Sequence, residues 1–150
     1  MTKKKSKDQF KDFKKLKGRC ISFMRKDFKK SPAYTEAKKR AFLGDTVYEC
    51  GQCGAKFYTG TSDKNFQKLK EEKYPDLVRS SLSKAMDMDH QDPIVPYDSS
   101  TDEMSLEELM VRIYCHEDNL QYICKACHSE KSKKEATIRK KYRELKKLEE

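Results

Sequence analysis

Two cysteine pairs carry the clearest chemistry in this chain. Cys50 and Cys53 share the spacing C-x-x-C with Cys124 and Cys127. A loop of that length offers two thiolates to one tetrahedral ion, with Zn–S distances of about 2.3 Å. Two such pairs complete a four-sulfur shell, so the expected zinc is structural and has no open position. It would tie the chain near residue 50 to the chain near residue 125. Cys20 and Cys115 fall within helical patterns and read as small core residues rather than ligands. His128 directly follows Cys127, yet a four-sulfur shell has no place for it.

Between the pairs lies the stretch MDMDHQDPI. Asp89 is a hard oxygen donor of the kind that Mg²⁺ and Mn²⁺ prefer. His90 is an imidazole with an ordinary pKa near ~6.5, able to take a proton at neutral pH. Neighbours in a strand point to opposite faces, so a strand must give way to a loop here if both are to serve one site. Alone, an Asp-His dipeptide is more often structural than catalytic.

The residues that follow add a pattern. Asp89-His90, Pro93-Ile94, Asn119-Leu120 and Cys124-x-x-Cys127-His128, with Lys131 behind, closely resemble the HNH endonuclease family in type and spacing. The resemblance is to its zinc-bearing four-cysteine type, as found in bacteriophages. It covers about residues 47–135 once the stretch 60–84 is set aside, and the leader LKGRCISFMRKDFKKSPAYTEAKKRA is similar in a looser way. It implies an α+β fold with a small ββα-metal core stapled by the zinc. A β-hairpin would carry Asp89 and His90, and a helix would begin near His128.

The same resemblance implies roles. Asp89 and His128 would hold one catalytic Mg²⁺ or Mn²⁺, His90 would be the general base, and Asn119 would hold the loop that keeps the His90 ring in orientation. The implied reaction is metal-dependent hydrolysis of DNA, nicking or cutting, with 3′-hydroxyl and 5′-phosphate products. Such hydrolysis needs a deprotonated water in line with the leaving oxygen and a cation to offset charge on the phosphate. Two gaps are longer than in compact members, from Cys53 to Asp89 and from His90 to Asn119. His116 stands near Asn119 as an alternative ligand or base, against the commoner reading of an exposed helix-end histidine.

Charge points to the same kind of partner. The formal balance is +9, which favours a polyanion such as DNA. Residues 1–43 carry sixteen Lys/Arg against four Asp/Glu, 44–124 eight against sixteen, and 125–150 ten against five. Lys125, Lys131, Lys133 and Lys134 are candidates for backbone phosphates, as are Arg25 and Lys26 in the basic N-terminal block. A solvated helix face explains that N-terminal block equally well. The rival function is a zinc-stapled nucleic-acid-binding protein, or an accessory to phage DNA packaging, with no turnover of its own. There is no secretory pattern and no apolar run near the ~20 residues of a membrane span, so the expected compartment is the cytoplasm, that of a bacterial host if the chain is phage-encoded.

The positioning elements follow from periodicity. Phe10, Phe13, Leu16, Cys20, Met24 and Phe28 recur at steps of three and four and predict a helix over about 8–30. Ser31-Pro32 opens a second helix, ending at Gly44. TVYECGQCGAKFYTG reads as strand, knuckle and returning strand. Residues 62–84 read as helix broken at Tyr74-Pro75, AMDMDH as a strand, and Ser105 with Glu108 as a capping box for a helix to about Tyr114. Leu106, Leu109, Met110 and Ile113 form the buried face of that helix. NLQYIC is a strand, followed by a long charged helix. The chain thus divides into a basic helical extension (1–44), a core (45–135) with its insertion (60–84), and a charged C-terminal helix (136–150). Hydrophobic residues make up 35% and charged ones 39%, a thin core supply that a metal staple would supplement.

Overall fold

The computed structural model describes residues 3–149. Helix α1 (Lys3–Phe28) runs through Gly18 without a break. Its buried face differs from the expected one, since Phe13 and Leu16 are more than half exposed while Lys17 is only 7% exposed. The Lys17 ammonium reaches the carbonyls of Met104 and Asp102, which satisfies its donors as its stem is buried. Ile21, Met24 and Phe28 then continue inward against Ile113, Leu120 and Ala37.

Helix α2 (Pro32–Arg40) starts where Ser31 caps it, its hydroxyl accepting the Tyr34 N–H at 3.2 Å. It ends four residues before Gly44, because the chain turns into a strand, β1 (Phe42–Gly44). Gly44, Asp45 and Thr46 all take positive φ, a tight reversal that delivers the chain to β2 (Val47–Glu49). β2 pairs antiparallel with β3 (Lys56–Tyr58). Between them the Cys50–Ala55 knuckle turns on Gly54 (φ +71°), where glycine has no steric cost.

The stretch 60–84 begins as expected with a helix, α3 (Asp63–Glu72). After Pro75 the chain forms β4 (Val78–Arg79), parallel to β3, and a short α4 (Leu82–Ala85). Leu69 and Leu77 from this insertion cover Val47 and Tyr58, a small core of its own. β5 (Met86–His90) and β6 (Leu120–Cys124) form a separate antiparallel pair in the register Asp89↔Gln121 and His90↔Leu120.

Helix α5 (Leu106–Ile113) carries the predicted capping box. Leu109 and Ile113 are fully buried, but Met110 faces solvent. A 3-10 turn (Glu117–Asn119) leads into β6, and α6 (Lys125–Glu149) follows with no intervening loop. The fold is therefore α+β, with small sheets and a cysteine-centred core of Cys50, Met86, Ile123, Cys124 and Cys127. Among the described residues no helix is long and apolar enough to cross a membrane.

Candidate functional site

The knuckle after β2 and the junction of β6 with α6 bring four sulfurs together. The Sγ atoms of Cys50, Cys53, Cys124 and Cys127 all lie within 4.8 Å of one another. The Cys124 N–H donates to Cys50 Sγ at 3.2 Å, and the Cys127 N–H to Cys124 Sγ at 3.5 Å. Burial pushes the Cys50 thiol up, but the N–H groups of Cys124, Cys53 and Gln52 outweigh it and hold the thiol at about 7. Sulfurs so close and so served by donors can hold a zinc ion.

On the other side of the junction a second group of side chains converges. Strand alternation sets Asp87 and Asp89 on one face of β5, and the first turn of α6 brings His128 against that face. His128 Nε2 lies 3.9 Å from Asp89 Oδ1, and its Nδ1 3.1 Å from Asp87 Oδ2. Asp89 Oδ2 accepts from Lys131 Nζ at 2.5 Å and from Gln121 Nε2 at 2.9 Å. Lys125 Nζ stands 2.6 Å from both oxygens of Asp87. Burial pushes the Asp87 carboxyl up, yet Lys125 and His128 together hold it below the usual range.

His90 ends β5 and turns the other way, as the alternation requires. Its ring centroid is 5.3 Å from that of Phe28, and Nε2 is 3.2 Å from the Ile113 carbonyl oxygen. A carbonyl only accepts, so Nε2 carries the hydrogen and Nδ1 the lone pair. Burial is the main reason that the ring sits below the ordinary imidazole value. Asn119 clamps the residues just beyond. Its carbonyl accepts the Gln91 N–H and its side-chain oxygen the Asp92 N–H, each at 2.8 Å.

Asp89, His90 and His128 all line a cleft of about 1460 Å³ between α1, α2 and α6. Of the phosphate-binding candidates, Arg25 lines it. Lys125 and Lys131 instead place their ammonium groups on Asp87 and Asp89. Lys26, Lys133 and Lys134 are exposed, with Lys134 2.7 Å from Glu130. His116 is largely exposed and caps the 3-10 turn, accepting from the Asp118 N–H at 3.4 Å. Cys20 and Cys115 stand outside the sulfur cluster.

Several residues join the site without having been singled out from sequence. Asp87 had a readable signal, being two positions from Asp89 in a strand. Arg139 also had one, because 128, 131, 135 and 139 fall on one stripe of a helix. Its guanidinium donates to the carbonyls of Val95 at 2.7 Å and Pro96 at 3.0 Å. Gln121 had only its register opposite Asp89, which sequence does not fix. Comparison of the chain with family models, with curated proteins and with solved structures gives no match.

Proposed function

We propose that this protein is a metal-dependent DNA endonuclease of the HNH kind, in which β5, β6 and the start of α6 act as a ββα-metal unit. The observation that carries this is the approach of Asp89 Oδ1 to His128 Nε2, at 3.9 Å, across the seam of β5 and α6. Ligand atoms bound at about 2.1 Å to one octahedral cation stand about 3.0 Å apart when neighbouring and about 4.2 Å apart when opposite, so the pair closes by about 1 Å when it takes a single Mg²⁺ or Mn²⁺ as neighbouring ligands. One carboxylate and one imidazole suit such an ion, while the four thiolates claim the zinc.

The remaining chemistry belongs to the chain. His90 turns to the other face of β5 from Asp89 but lines the same cleft, and with Nε2–H on the Ile113 carbonyl its Nδ1 is the nitrogen left to take a proton from the attacking water. Its burial keeps it neutral at physiological pH, the form a base requires. Asn119 holds Gln91 and Asp92, and so fixes the chain immediately after the base. A bound cation would supply charge neutralisation at the phosphate and the leaving oxygen. Arg25 and Lys29 on one wall of the cleft, with Arg143 on another, suit a phosphate backbone. One such site cuts one strand, so the expected elementary product is a nick with 3′-hydroxyl and 5′-phosphate ends.

The test is conversion of supercoiled plasmid by wild type and His90→Ala with Mg²⁺, with Mn²⁺ and with EDTA. Open circles from wild type alone, and only with added metal, are expected, with a loss of about 10²–10⁴-fold in the variant. If wild type retards the plasmid and leaves it intact with either metal, the protein is a binding module and the proposal fails.

A further inference from the structure

His128 approaches β5 between two carboxylates that share one face of the strand. Its Nδ1 is 3.1 Å from Asp87 Oδ2, a hydrogen-bond distance, and its Nε2 faces Asp89 Oδ1 at 3.9 Å. Asp87 is held from behind, with Lys125 Nζ 2.6 Å from each of its oxygens. An ionised carboxylate can only accept, so the ring nitrogen facing it carries the hydrogen. In a neutral imidazole the other nitrogen then has the lone pair. That lone pair is on the Asp89 side. Lys125 covers both Asp87 oxygens, which suits Asp87 to orienting a ligand rather than to being one.

We propose that Asp87 is a positioning residue: it accepts the Nδ1–H of His128, fixes that tautomer, and so turns the Nε2 lone pair towards Asp89 to face one divalent cation. The role of the cation rests on the endonuclease reading above. The effect of Asp87 on the His128 ring does not require turnover to be observed. A carboxylate behind a ligating histidine fixes both the tautomer and the ring plane, and its loss typically costs 10–100-fold in metal affinity.

The test uses the full chain with its zinc in place and ¹⁵N-labelled histidine. The chain has three histidines, so a His116→Gln variant suffices to begin the assignment. Long-range ¹H–¹⁵N spectra at mildly alkaline pH report which nitrogen of His128 is protonated, and a Mn²⁺ titration reports affinity. Wild type is expected to show Nδ1–H. Asp87→Ala is expected to move the population towards Nε2–H and to weaken Mn²⁺ binding by about 10–100-fold. Asp87→Asn keeps an oxygen acceptor and is expected to restore both, and if the alanine variant does not fold, Asp87→Leu takes its place with the same expected loss.

Nε2–H in the wild type overturns the proposal. So does an unchanged tautomer, or unchanged Mn²⁺ affinity, in folded Asp87→Ala. A protein that passes these tests yet leaves plasmid uncut counts against the endonuclease reading alone, so the two failures are distinguishable.

Discussion

The Lys131 ammonium lies 2.5 Å from Asp89 Oδ2, and both side chains are largely buried, at 18% and 12% exposure. The same ammonium donates to the carbonyl of His90. One lysine on α6 therefore neutralises the carboxylate that the proposed cation would bind, and ties down the end of β5. Without it, Asp89 would be a largely buried carboxylate at the end of β5, left with Gln121 as its donor.

Replacing Lys131 by alanine is expected to cost about 1–3 kcal/mol of stability when no divalent cation is added. Added Mn²⁺ should raise the Tm of Lys131→Ala more than that of wild type, because the ion takes over the compensation of Asp89. Thermal unfolding with and without Mn²⁺, zinc being retained, measures both. Equal Tm increments in the two proteins would show that Asp89 is not where the ion binds.

The four sulfurs make a second, independent prediction. Three of the four cysteines sit in a core cluster with Met86 and Ile123, so a zinc held by them would be part of the core. Binding free energies for structural zinc run to about 10–16 kcal/mol, as large as the total stability of an ordinary domain at about 5–15 kcal/mol. Purified protein should contain one zinc per chain by elemental analysis. Cys127→Ala, or extraction with a strong chelator, should abolish the cooperative unfolding transition. A zinc-free chain that still unfolded cooperatively at a similar temperature would rule out a structural metal.

The parts of the structure that sequence revealed are those set by local chemistry. The Cys50–Cys53 knuckle, the Ser31 cap and the Ser105–Glu108 box each depend on residues a few positions apart, and each formed as read. The parts that were hidden depend on partners far along the chain. Periodicity put Phe13 and Leu16 on the buried face of α1, but the face is rotated because carbonyls of the 102–104 segment draw Lys17 inward. Residues after Pro75 looked helical, but pairing with β3 made Val78 and Arg79 a strand and left only the short helix Leu82–Ala85. Asp87 was in plain view within MDMDH, but its role emerges only once α6 sets His128 against that face of β5.

The capping box gives the pH prediction. Ser105 Oγ accepts the Glu108 N–H at 3.0 Å, and Glu108 Oε2 accepts the Ser105 N–H at 2.6 Å. The Ser105 N–H, followed by its hydroxyl, holds the Glu108 carboxyl below its ordinary 4.5. The folded value is the lower one, so the unfolded chain takes up the proton first as pH falls. The contribution is complete above the ordinary value and is lost through the folded one. Urea unfolding of Glu108→Gln should therefore show it less stable than wild type near neutrality, with the gap closing below about pH 4.5. A gap that stays constant with pH would remove the charged box from the account.

Arg139 makes a prediction about the loop that follows His90. It donates to Val95 and Pro96 carbonyls, and its guanidinium lies 5.4 Å from the Tyr97 ring centre. Hydrogen bonds of this charged kind contribute about 1.5–3 kcal/mol. Arg139→Ala should raise proteolytic nicking within 93–98 by about tenfold or more. Arg139→Lys should fail to rescue it, since one ammonium cannot reproduce a planar two-pronged donor. Full protection in the lysine variant would mean that charge alone holds the loop.

Asn119 offers the sharpest separation of positioning from binding. It touches Gln91 and Asp92 through its carbonyl and its side-chain oxygen, and so acts on the chain that leaves His90 rather than on the ring. Asn119→Ala removes the acceptor of the Asp92 N–H but leaves the backbone bond to Gln91. The loop should loosen at a cost of about 1 kcal/mol in stability. A misplacement near 1 Å can slow a reaction by about 10²-fold, so nicking should fall by up to that factor while affinity for DNA stays unchanged. Asn119→Asp retains an oxygen at the same place and should recover most of the rate. If the alanine variant loses DNA affinity in step with rate, Asn119 acts in binding nucleic acid and not in positioning the proposed base His90.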